Sequence, residues 1–569
     1  MRVRGILVLV AALVVGAPSA WAQEQAPAQL RPEPATIEQV IDRVIQREAE
    51  VAKIIRQYSP LVEIYIQDLR PDKDLVLAPQ RDHYFLGKAD LDSGVVFRSL
   101  VANKRSKARS ILSVLTSWTK MFSWGSEYYP EGFLSKVFVD RGGLDRQNYE
   151  FRYVRREFLG EVRCLVFDLA PKTLEGRRRF KGRIWVEDHE YTIVRFSGAR
   201  VPQKKGMSYS FHFDSWRLHA GPGQWLPAYV YSAESDMKDL LWKRIRFKSQ
   251  VRLWGYNLQN SARQDEFSTI KVETAAPLRD RSEAESDPSP LEATRLWERQ
   301  AEDNVLERLE LGGLLAPAGE VEKVLRTVVN NLEVTNNLTI EPEVRCRVLL
   351  TSRLESLTVG RTIVISRGLL DVLPDEASLA AILAHELAHI TLGSSVDPNW
   401  GFYDRVASAV QGDPLRDLSF HSDEHKELAA NHKALELMKN SPYKDKLGSV
   451  GLFFRALDNR AKQLPSLMRA NLGAPLTVTP EMLAGSPEYQ VTKLDQIAAL
   501  PLGTRIRLDP WSSRLELTKQ RPLSLVSARE KQEFEVTPFM PYLSRQKPAD
   551  ATLAVSSPEP PRPPQKDPQ

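Results

Sequence analysis

The chain has 569 residues, which is too long for one ordinary domain and predicts two or three folded units. Hydrophobic residues make up 42% of the chain and charged residues 27%, a composition typical of globular proteins and not of disordered chains or membrane bundles. The formal net charge of +5 favours no polyanionic partner, so we expect no nucleic-acid binding.

Residues 1–22 have the three parts of a secretory signal peptide. Arg2 and Arg4 form a basic start, Ile6–Val15 is apolar, and Ala20-Trp21-Ala22 fits a cleavage site. An uncleaved membrane anchor is the alternative, although this run is short for a span of about 20 residues. No cysteine immediately follows the cleavage site, so the lipid-modified cysteine of a bacterial lipoprotein signal is missing. We expect a periplasmic or secreted protein without a transmembrane helix, whose net charge is near +3 (5 − 2) after cleavage.

The chain has two cysteines, Cys164 and Cys346, which fall in different predicted domains. A disulfide framework is therefore excluded, and two separate buried thiols are the favoured state. Export would nevertheless permit a disulfide, and the sequence leaves both states open.

Residues 36–269 are predicted to form an antiparallel β domain, preceded by a polar, proline-rich linker over residues 23–35. Thr36 is placed to cap a first helix, because apolar residues recur at helical spacing from Ile37 onwards. Runs of β-branched and aromatic residues then predict strands, interrupted by one predicted helix over Lys107–Met121. The predicted strands are Leu61–Ile66, Tyr149–Val154, Arg163–Leu169, Gly182–Val186, Thr192–Phe196, Ser208–Phe213 and Arg246–Trp254.

The second half of the chain is predicted to be mainly helical. Residues 270–290 are charged and rich in proline and serine, as expected of a linker, and residues 291–525 form the second folded unit. Residues 526–569 end in proline-rich low complexity and are predicted to be a disordered tail. Within the second unit the predicted helices are Val321–Leu332 and Ser378–Ile390, and the predicted strands are Arg345–Leu350 and Thr362–Ser366.

The second of these helices contains the sequence HELAH, with His385, Glu386 and His389 at the defined positions of an H-E-x-x-H motif. Residues four apart on a helix leave the same face, so both imidazoles can reach one zinc ion at about 2.0–2.1 Å. Glu386 then points toward the zinc-bound water and can act as general base and acid. Burying these polar groups on an apolar helix would be costly without a metal partner.

Two histidines and a water leave tetrahedral zinc one ligand short, so a further side chain is required. Residues 421–432 (HSDEHKELAANH) concentrate the candidates on a second predicted helix that could face the first. The candidates in this segment are His421, Asp423, Glu424, His425, Glu427 and His432.

The motif and its surroundings resemble a known family. Leu369-Leu370, EASLAAILAHELAHI and the later helix start Glu427-Leu428-Ala429-Ala430-Asn431 are similar to the zinc metallopeptidase family of HtpX, BepA and the CAAX prenyl proteases, over roughly residues 296–500. The resemblance implies a peptidase domain over residues 291–525 that holds one zinc ion, with Glu427 as the third ligand. It also implies that Thr362–Ser366 is an edge strand that aligns the substrate backbone.

Two departures from the family pattern bear on activity. Asn431 stands where the family has an aspartate. In the family that aspartate looks like a group that orients a ligating histidine, and asparagine keeps an acceptor oxygen but lacks the charge. A histidine-proline pair common in relatives is absent, since the chain has Gly485-Ser486-Pro487 and no histidine after His432. Arg505 and Arg507 are possible oxyanion partners, but solvated surface arginines are the favoured interpretation.

The segment Phe158–Gly198 resembles the LolA-like proteins that sort lipoproteins to the outer membrane. That resemblance implies a curved antiparallel half-barrel with an apolar concavity for acyl chains, and hence a possible lipid or lipoprotein ligand. The tryptophans expected either to line the concavity or to form ordinary sheet core are Trp185, Trp216, Trp225, Trp242 and Trp254.

Taken together, these features predict an α+β protein with a curved β half-barrel and helices, followed by a mainly helical zincin domain with a small sheet. The leading hypothesis is an exported zinc metalloendopeptidase that hydrolyses peptide bonds of envelope or exported proteins. The alternative is an envelope chaperone or lipid carrier whose zinc module is structural or weakly active. Glu386 favours the enzyme, because a purely structural zinc site has no need for that carboxylate.

Overall fold

The protein was examined as a computed structural model. It describes residues 34, 36–92, 95–100, 128–173, 179–201, 211–221, 224–238, 244–258, 289–402, 415, 418–420, 423–476, 478–483, 485–503, 505–518, 523–538 and 542–545. The predicted signal peptide, the predicted helix Lys107–Met121 and most of the predicted linker 270–290 lie outside these residues.

The described residues form an α+β structure, as predicted, with a large antiparallel sheet in the first half and most helices in the second. No described helix is long and apolar enough to cross a membrane. The helices are α1 Ile37–Arg56, α2 Pro130–Leu134, α3 Pro290–Leu311, α4 Glu320–Thr335, α5 Arg367–Val372, α6 Glu376–Thr391, α7 Glu424–Lys439, α8 Leu447–Ala461, α9 Pro465–Met468 and α10 Pro480–Leu483.

The large sheet has ten strands in the order β3-β2-β1-β10-β9-β8-β7-β6-β5-β4, and the paired neighbours are antiparallel. Its strands are β1 Leu61–Asp72, β2 Val76–Asp90, β3 Val96–Ser99, β4 Tyr149–Leu159, β5 Val162–Pro171, β6 Phe180–Glu187, β7 Ile193–Arg200, β8 Phe213–Gly221, β9 Gln224–Lys238 and β10 Arg244–Trp254. Because β3 and β4 are opposite edges of this order, the sheet is open and not a closed barrel. Its curvature into a half-barrel stays a prediction.

The predicted strands fall on the observed ones, except that residues 208–210 of the predicted strand Ser208–Phe213 lie outside the described residues. The strand there, β8, begins only at Phe213 and continues to Gly221. Two long strands, β2 and β9, lie within the region predicted to form strands but were not individually bounded from the sequence, and each contains a proline. Pro79 and Pro227 lie at positions where the strand register shifts, so neither has to donate to a regular ladder.

The two faces of the sheet are covered by different parts of the chain. Helix α1 begins after Thr36, whose side chain accepts a hydrogen bond from Gln39 N at 3.3 Å. The apolar side of α1 packs on one face together with Val62, Ile64 and Ile66. The residues of β1 that alternate with Val62, Ile64 and Ile66 lie on the opposite face and are also buried. Strand β1 is therefore buried on both sides.

That opposite face is covered by the second half of the chain. Leu61, Tyr65 and Trp254 of the sheet belong to the same buried cluster as Leu315 and Val348. A polar network reinforces the contact: Glu63 Oε2 lies 3.0 Å from Arg367 Nη2, and its carboxylate also accepts from Ser352 N and Oγ and from Tyr84 OH. The two halves therefore share one core across this sheet face.

The second half also contains a three-stranded sheet in the order β11-β13-β12 and a two-stranded sheet. The prediction that Thr362–Ser366 is an edge strand is wrong: this strand, β13, is central, because it pairs in parallel with β11 and antiparallel with β12. The outer strand is β12, which the sequence analysis did not predict. The strands are β11 Arg345–Leu349, β12 Ser356–Val359, β13 Thr362–Ser366, β14 Ile506–Leu508 and β15 Leu515–Leu517.

A C-terminal segment crosses the face of the large sheet that the second half covers. The Gln67 side chain donates to Phe534 O at 2.8 Å and accepts from Val536 N at 3.0 Å, in the manner of a paired strand. Farther along, Tyr229 OH donates to Thr537 O at 2.8 Å. Backbone groups of this segment are thus paired with buried side chains of the sheet.

The predicted disordered tail, residues 526–569, is therefore wrong for residues 526–538 and 542–545. Leu543 is fully buried and forms a parallel bridge with Gly160. Apolar residues spaced along an irregular segment give no period, so its packing was not visible in the sequence. The remaining residues of the predicted tail lie outside the described ones.

Cys164 lies in β5 and Cys346 in β11, and both are buried free thiols. Burial raises the pKa of each thiol to about 12. Two separate, unreactive thiols match the favoured prediction.

Candidate metal centre

Helix α6 presents the H-E-x-x-H residues and is stabilised at its start by Asp375. The Asp375 side chain accepts a hydrogen bond from Ser378 N at 2.8 Å, which satisfies one of the free amides of the first turn. Most of the helix is buried in the core of the second half. His385 and His389 leave the same side of this helix, and their Nε2 atoms lie 3.2 Å apart.

Helix α7 brings the third candidate ligand to these two histidines. Asp423 caps this helix by accepting from Lys426 N at 2.9 Å, which leaves Glu427 in the first turn facing α6. The Glu427 carboxylate lies 3.4 Å from His385 Nε2 and 3.5 Å from His389 Nε2.

The other candidates in this segment are placed differently. Glu424, His425 and His432 are exposed, Asp423 serves as the helix cap, and His421 lies outside the described residues. Over the part of the chain that the structure describes, His385, His389 and Glu427 are the group whose ligand atoms all lie within 4.8 Å of one another.

The spacing of these three donors fits a tetrahedral zinc ion. Donor atoms at about 2.0–2.1 Å from tetrahedral zinc lie about 3.3–3.4 Å apart. The two Nε2 atoms lie 3.2 Å apart, and Glu427 approaches each of them with a different oxygen, Oε2 at 3.4 Å from His385 and Oε1 at 3.5 Å from His389, so the three side chains lie close enough together to share one ion. Two imidazole nitrogens and one carboxylate oxygen are also a donor set that zinc accepts in catalytic sites.

Electrostatics within the cluster hold Glu427 ionised. Burial works to raise the pKa of Glu427, but both histidines outweigh it and lower this pKa to about 2. For His385, burial works to lower the pKa, while Glu427, Glu386 and Asn431 raise it above its usual value. Without a metal, the cluster therefore favours a carboxylate beside a protonated imidazole.

Glu386 faces the same pocket and is held by two hydroxyl groups of the outer strand β12. Ser356 Oγ donates to Glu386 Oε1 and Thr358 Oγ1 to Glu386 Oε2, both at 2.7 Å. Glu386 is only 3% exposed, so these contacts fix its orientation. Neither partner was predicted from the sequence; the available signal was two hydroxyl residues, two positions apart, in a short strand that precedes β13 and the motif helix.

Asn431 lies against His385, as its effect on the histidine pKa indicates. Neither His385 Nδ1 nor Asn431 Oδ1, both buried, has a hydrogen-bond partner among the described residues. An imidazole that binds a metal through Nε2 carries its proton on Nδ1, and that N–H needs an acceptor. Asn431 supplies an uncharged oxygen beside the ring, where the resemblance expects an aspartate.

The pocket around this cluster has a mixed lining. Its polar wall is formed by the two histidines, Glu386, Glu427 and the β12 hydroxyls, and its floor is apolar. The apolar lining residues are Leu357, Ile382, Phe420, Phe454, Ala474, Pro475, Leu476 and Met482.

Arg505 and Arg507 do not line this pocket, which argues against the oxyanion role that the sequence left possible for them. Arg505 donates through Nη2 to Pro374 O at 2.8 Å, and Arg507 donates through Nη2 to Ser544 Oγ at 2.9 Å. Both side chains therefore bind groups outside the pocket at His385.

Of the tryptophans expected in the first half, Trp216, Trp225 and Trp254 are almost fully buried in core clusters. Trp185 is also buried and donates to Glu157, and Trp242 lies outside the described residues. Four of the five thus match the prediction of ordinary sheet core, and a lipid ligand of this half stays a prediction.

In a comparison with protein families, the model of peptidase family M48 matches residues 356–398. This stretch begins at β12, which holds Glu386, and ends just after α6, so it contains both histidines and the glutamate between them. No curated protein is significantly similar to the chain. The family match supports a metallopeptidase of the zincin type, a class that acts on protein or peptide substrates.

Proposed function

We propose that the protein is a zinc-dependent metalloendopeptidase whose metal ligands are His385, His389 and Glu427. The observation that carries this proposal is the separation of 3.2–3.5 Å between donor atoms contributed by two helices. Such spacing brings a carboxylate and two imidazoles together, and a metal ion offsets the cost of burying them.

A zinc ion in this site supplies Lewis-acid activation of water and of the scissile carbonyl. Glu386 is the general base: its carboxylate accepts a proton from the attacking water and then donates it to the nitrogen of the leaving amine. Ser356 and Thr358 hold that carboxylate in place through neutral hydrogen bonds, which leave it free to take up the proton. Asn431 orients His385 from its other ring nitrogen.

The substrate in this proposal is an extended peptide that lies along β12. That strand is the outer one of its sheet and lines the pocket through Ser356, Leu357 and Thr358. An outer strand offers unpaired backbone groups to which a peptide can add as a further strand. The predicted signal peptide places the substrates among envelope or exported proteins.

The test of the general base is Glu386→Gln, which keeps the shape of the side chain but removes its basicity. We expect zinc content to stay at about one ion per chain while kcat/KM for an unfolded protein substrate falls about a hundredfold to ten-thousandfold. Glu424→Gln, an exposed change on α7, is the matched control and leaves both values unchanged. Equal cleavage by wild type and Glu386→Gln would refute the assignment.

The test of the third ligand is the zinc content of Glu427→Ala compared with His425→Ala. Loss of one of three protein ligands is expected to remove most of the zinc after dialysis, whereas loss of the exposed His425 leaves it bound. Stoichiometric zinc in Glu427→Ala would show that another residue completes the site.

A further inference from the structure

A second cavity lies between the large sheet and the C-terminal segments. It has a volume of about 440 Å³, within the range of about 300–1,000 Å³ usual for small-molecule sites. Strands β8, β9 and β10 form one wall and strands β14 and β15 the other. It shares no lining residue with the pocket at His385, and it lies on the sheet face opposite α1.

This cavity between the sheet and the C-terminal segments, the junction cavity, is lined mainly by apolar atoms. The apolar residues of the lining are Leu218, Ala228, Tyr229, Leu253, Ile506, Leu508 and Leu517. Leu517 and Tyr542 are 45% and 53% exposed, which places them at its opening to solvent. A cavity of this kind favours the apolar part of a ligand through removal of that surface from water.

One charged side chain, Arg252, lies in this apolar wall. It is 7% exposed, so more than nine-tenths of it is removed from solvent. Its Nη2 reaches Gln250 Oε1 only at 3.5 Å, and its Nε has no hydrogen-bond partner among the described residues. Its guanidinium carbon lies 5.2 Å from the centre of the Tyr229 ring.

No carboxylate of the described residues forms an ion pair with Arg252. Glu63 and Asp371 are near enough to offset part of its charge, but both bind Arg367. Asp371 also accepts from the backbone amides of Gly503, Arg505 and Ile506. Burial and the neighbouring Arg367 both lower the pKa of Arg252, which shows how poorly this cation is stabilised.

The charged side chains of the lining, taken together, carry a net positive charge. Arg507 is a second cation, and Glu516 is the single acid, 62% exposed in its side chain and 3.5 Å from Arg507 Nε. A guanidinium with unused donors at an apolar wall is suited to a carboxylate or phosphate oxygen.

We propose that the junction cavity binds a small amphipathic anion, with a hydrocarbon chain against the apolar walls and a carboxylate or phosphate on Arg252. A peptide fits less well, because every residue brings an N–H and a C=O that this wall cannot satisfy. The site is independent of the proposed peptidase reaction, and its test does not need catalytic turnover.

The test is calorimetric titration of the purified, zinc-loaded protein with dodecanoate and, separately, dodecyl phosphate, both below their micellar concentrations. We expect about one molecule bound per chain for at least one of these anions, with the better anion identifying the headgroup. Dodecyltrimethylammonium, which has the same chain and the opposite charge, is expected to bind about tenfold more weakly or worse. No binding of either anion, or equal binding of the cation, overturns the proposal.

Two variants locate the site. Arg252→Met keeps the hydrocarbon stem and is expected to weaken anion binding about tenfold or more, without lowering the free energy of unfolding, because the removed charge is unpaired. Ala228→Phe adds a ring inside the cavity and is expected to abolish binding. Arg505→Met, at the same junction but outside the lining, is the control with wild-type affinity. Unchanged affinity in Arg252→Met, or in Ala228→Phe if Arg252→Met does not fold, overturns the proposal.

Discussion

The contact between Glu386 and the β12 hydroxyls shows how neighbouring residues prepare a general base. Each carboxylate oxygen accepts one hydroxyl at 2.7 Å, so the group is oriented without being neutralised. Both donors are neutral, so they orient the carboxylate without placing a charge beside it.

We therefore expect the double variant Ser356→Ala, Thr358→Val to lower kcat/KM about tenfold to a hundredfold, because Glu386 loses both orienting donors. Zinc content should stay unchanged, since neither hydroxyl approaches the ligand atoms. Ser394→Ala, in the same pocket, is the control with wild-type activity. A parallel loss of zinc would mean that the hydroxyls support the metal site as a whole.

The charge states of His385 and Glu427 in the metal-free protein predict how zinc binding depends on pH. His385 has a raised pKa, so in the metal-free protein it holds its proton to a higher pH than an ordinary histidine. Zinc binds only the neutral ring, while Glu427, with a pKa of about 2, stays ionised throughout. Apparent zinc affinity should thus fall about tenfold per pH unit below the raised pKa, as measured by chelator competition between about pH 8 and pH 6. A flat profile would contradict the protonated state inferred for His385.

At the scale of elements, the catalytic helix depends on its cap. Asp375 accepts from Ser378 N at 2.8 Å and from Ser449 Oγ of α8 at 3.1 Å, so one side chain satisfies an orphan amide and joins two helices. We expect Asp375→Ala to lower the free energy of unfolding by about 1–2 kcal/mol in denaturant titration. Asp375→Asn retains an acceptor oxygen and should lose less. Equal losses would show that charge at the helix start, and not the hydrogen bond, stabilises it.

The elements also show what a local pattern can predict. Strands with β-branched alternation, such as β1 and β10, fall where the sequence placed them. Strands β2 and β9 each contain a proline, Pro79 and Pro227, and the register shifts that accommodate these prolines exist only once neighbouring strands are paired. The outer position of β12 is likewise a property of sheet order, which no single strand encodes.

At the scale of the whole molecule, buried charges join the two halves. Arg367 is fully buried and binds both Glu63 of the sheet and Asp371 of its own helix. The positive charge of Arg367 compensates the two carboxylates, and removing one of these three groups leaves a charge unbalanced in a region of low dielectric.

Glu63→Gln is accordingly expected to lower the free energy of unfolding by about 3–5 kcal/mol, because Arg367 loses one of two compensating carboxylates. Denaturant unfolding followed by tryptophan fluorescence measures it, and Glu150→Gln, an exposed change in β4, is the control. If the halves were independent, the transition would split, with only part of the chain destabilised.

The sequence by itself determined the helix that carries His385, Glu386 and His389, because four-residue spacing on a helix follows from local geometry. Its resemblance to a zinc metallopeptidase family pointed to Glu427 among six candidates, and the fold class followed from composition and period. Only the tertiary structure decided which groups hold Glu386, which strand is outermost, and how residues 531–538 and 542–545 pack across the sheet. These depend on contacts between residues tens to hundreds of positions apart, which leave no periodic trace in the chain. The unpaired Arg252 belongs with them, since it became visible only when two distant segments enclosed it.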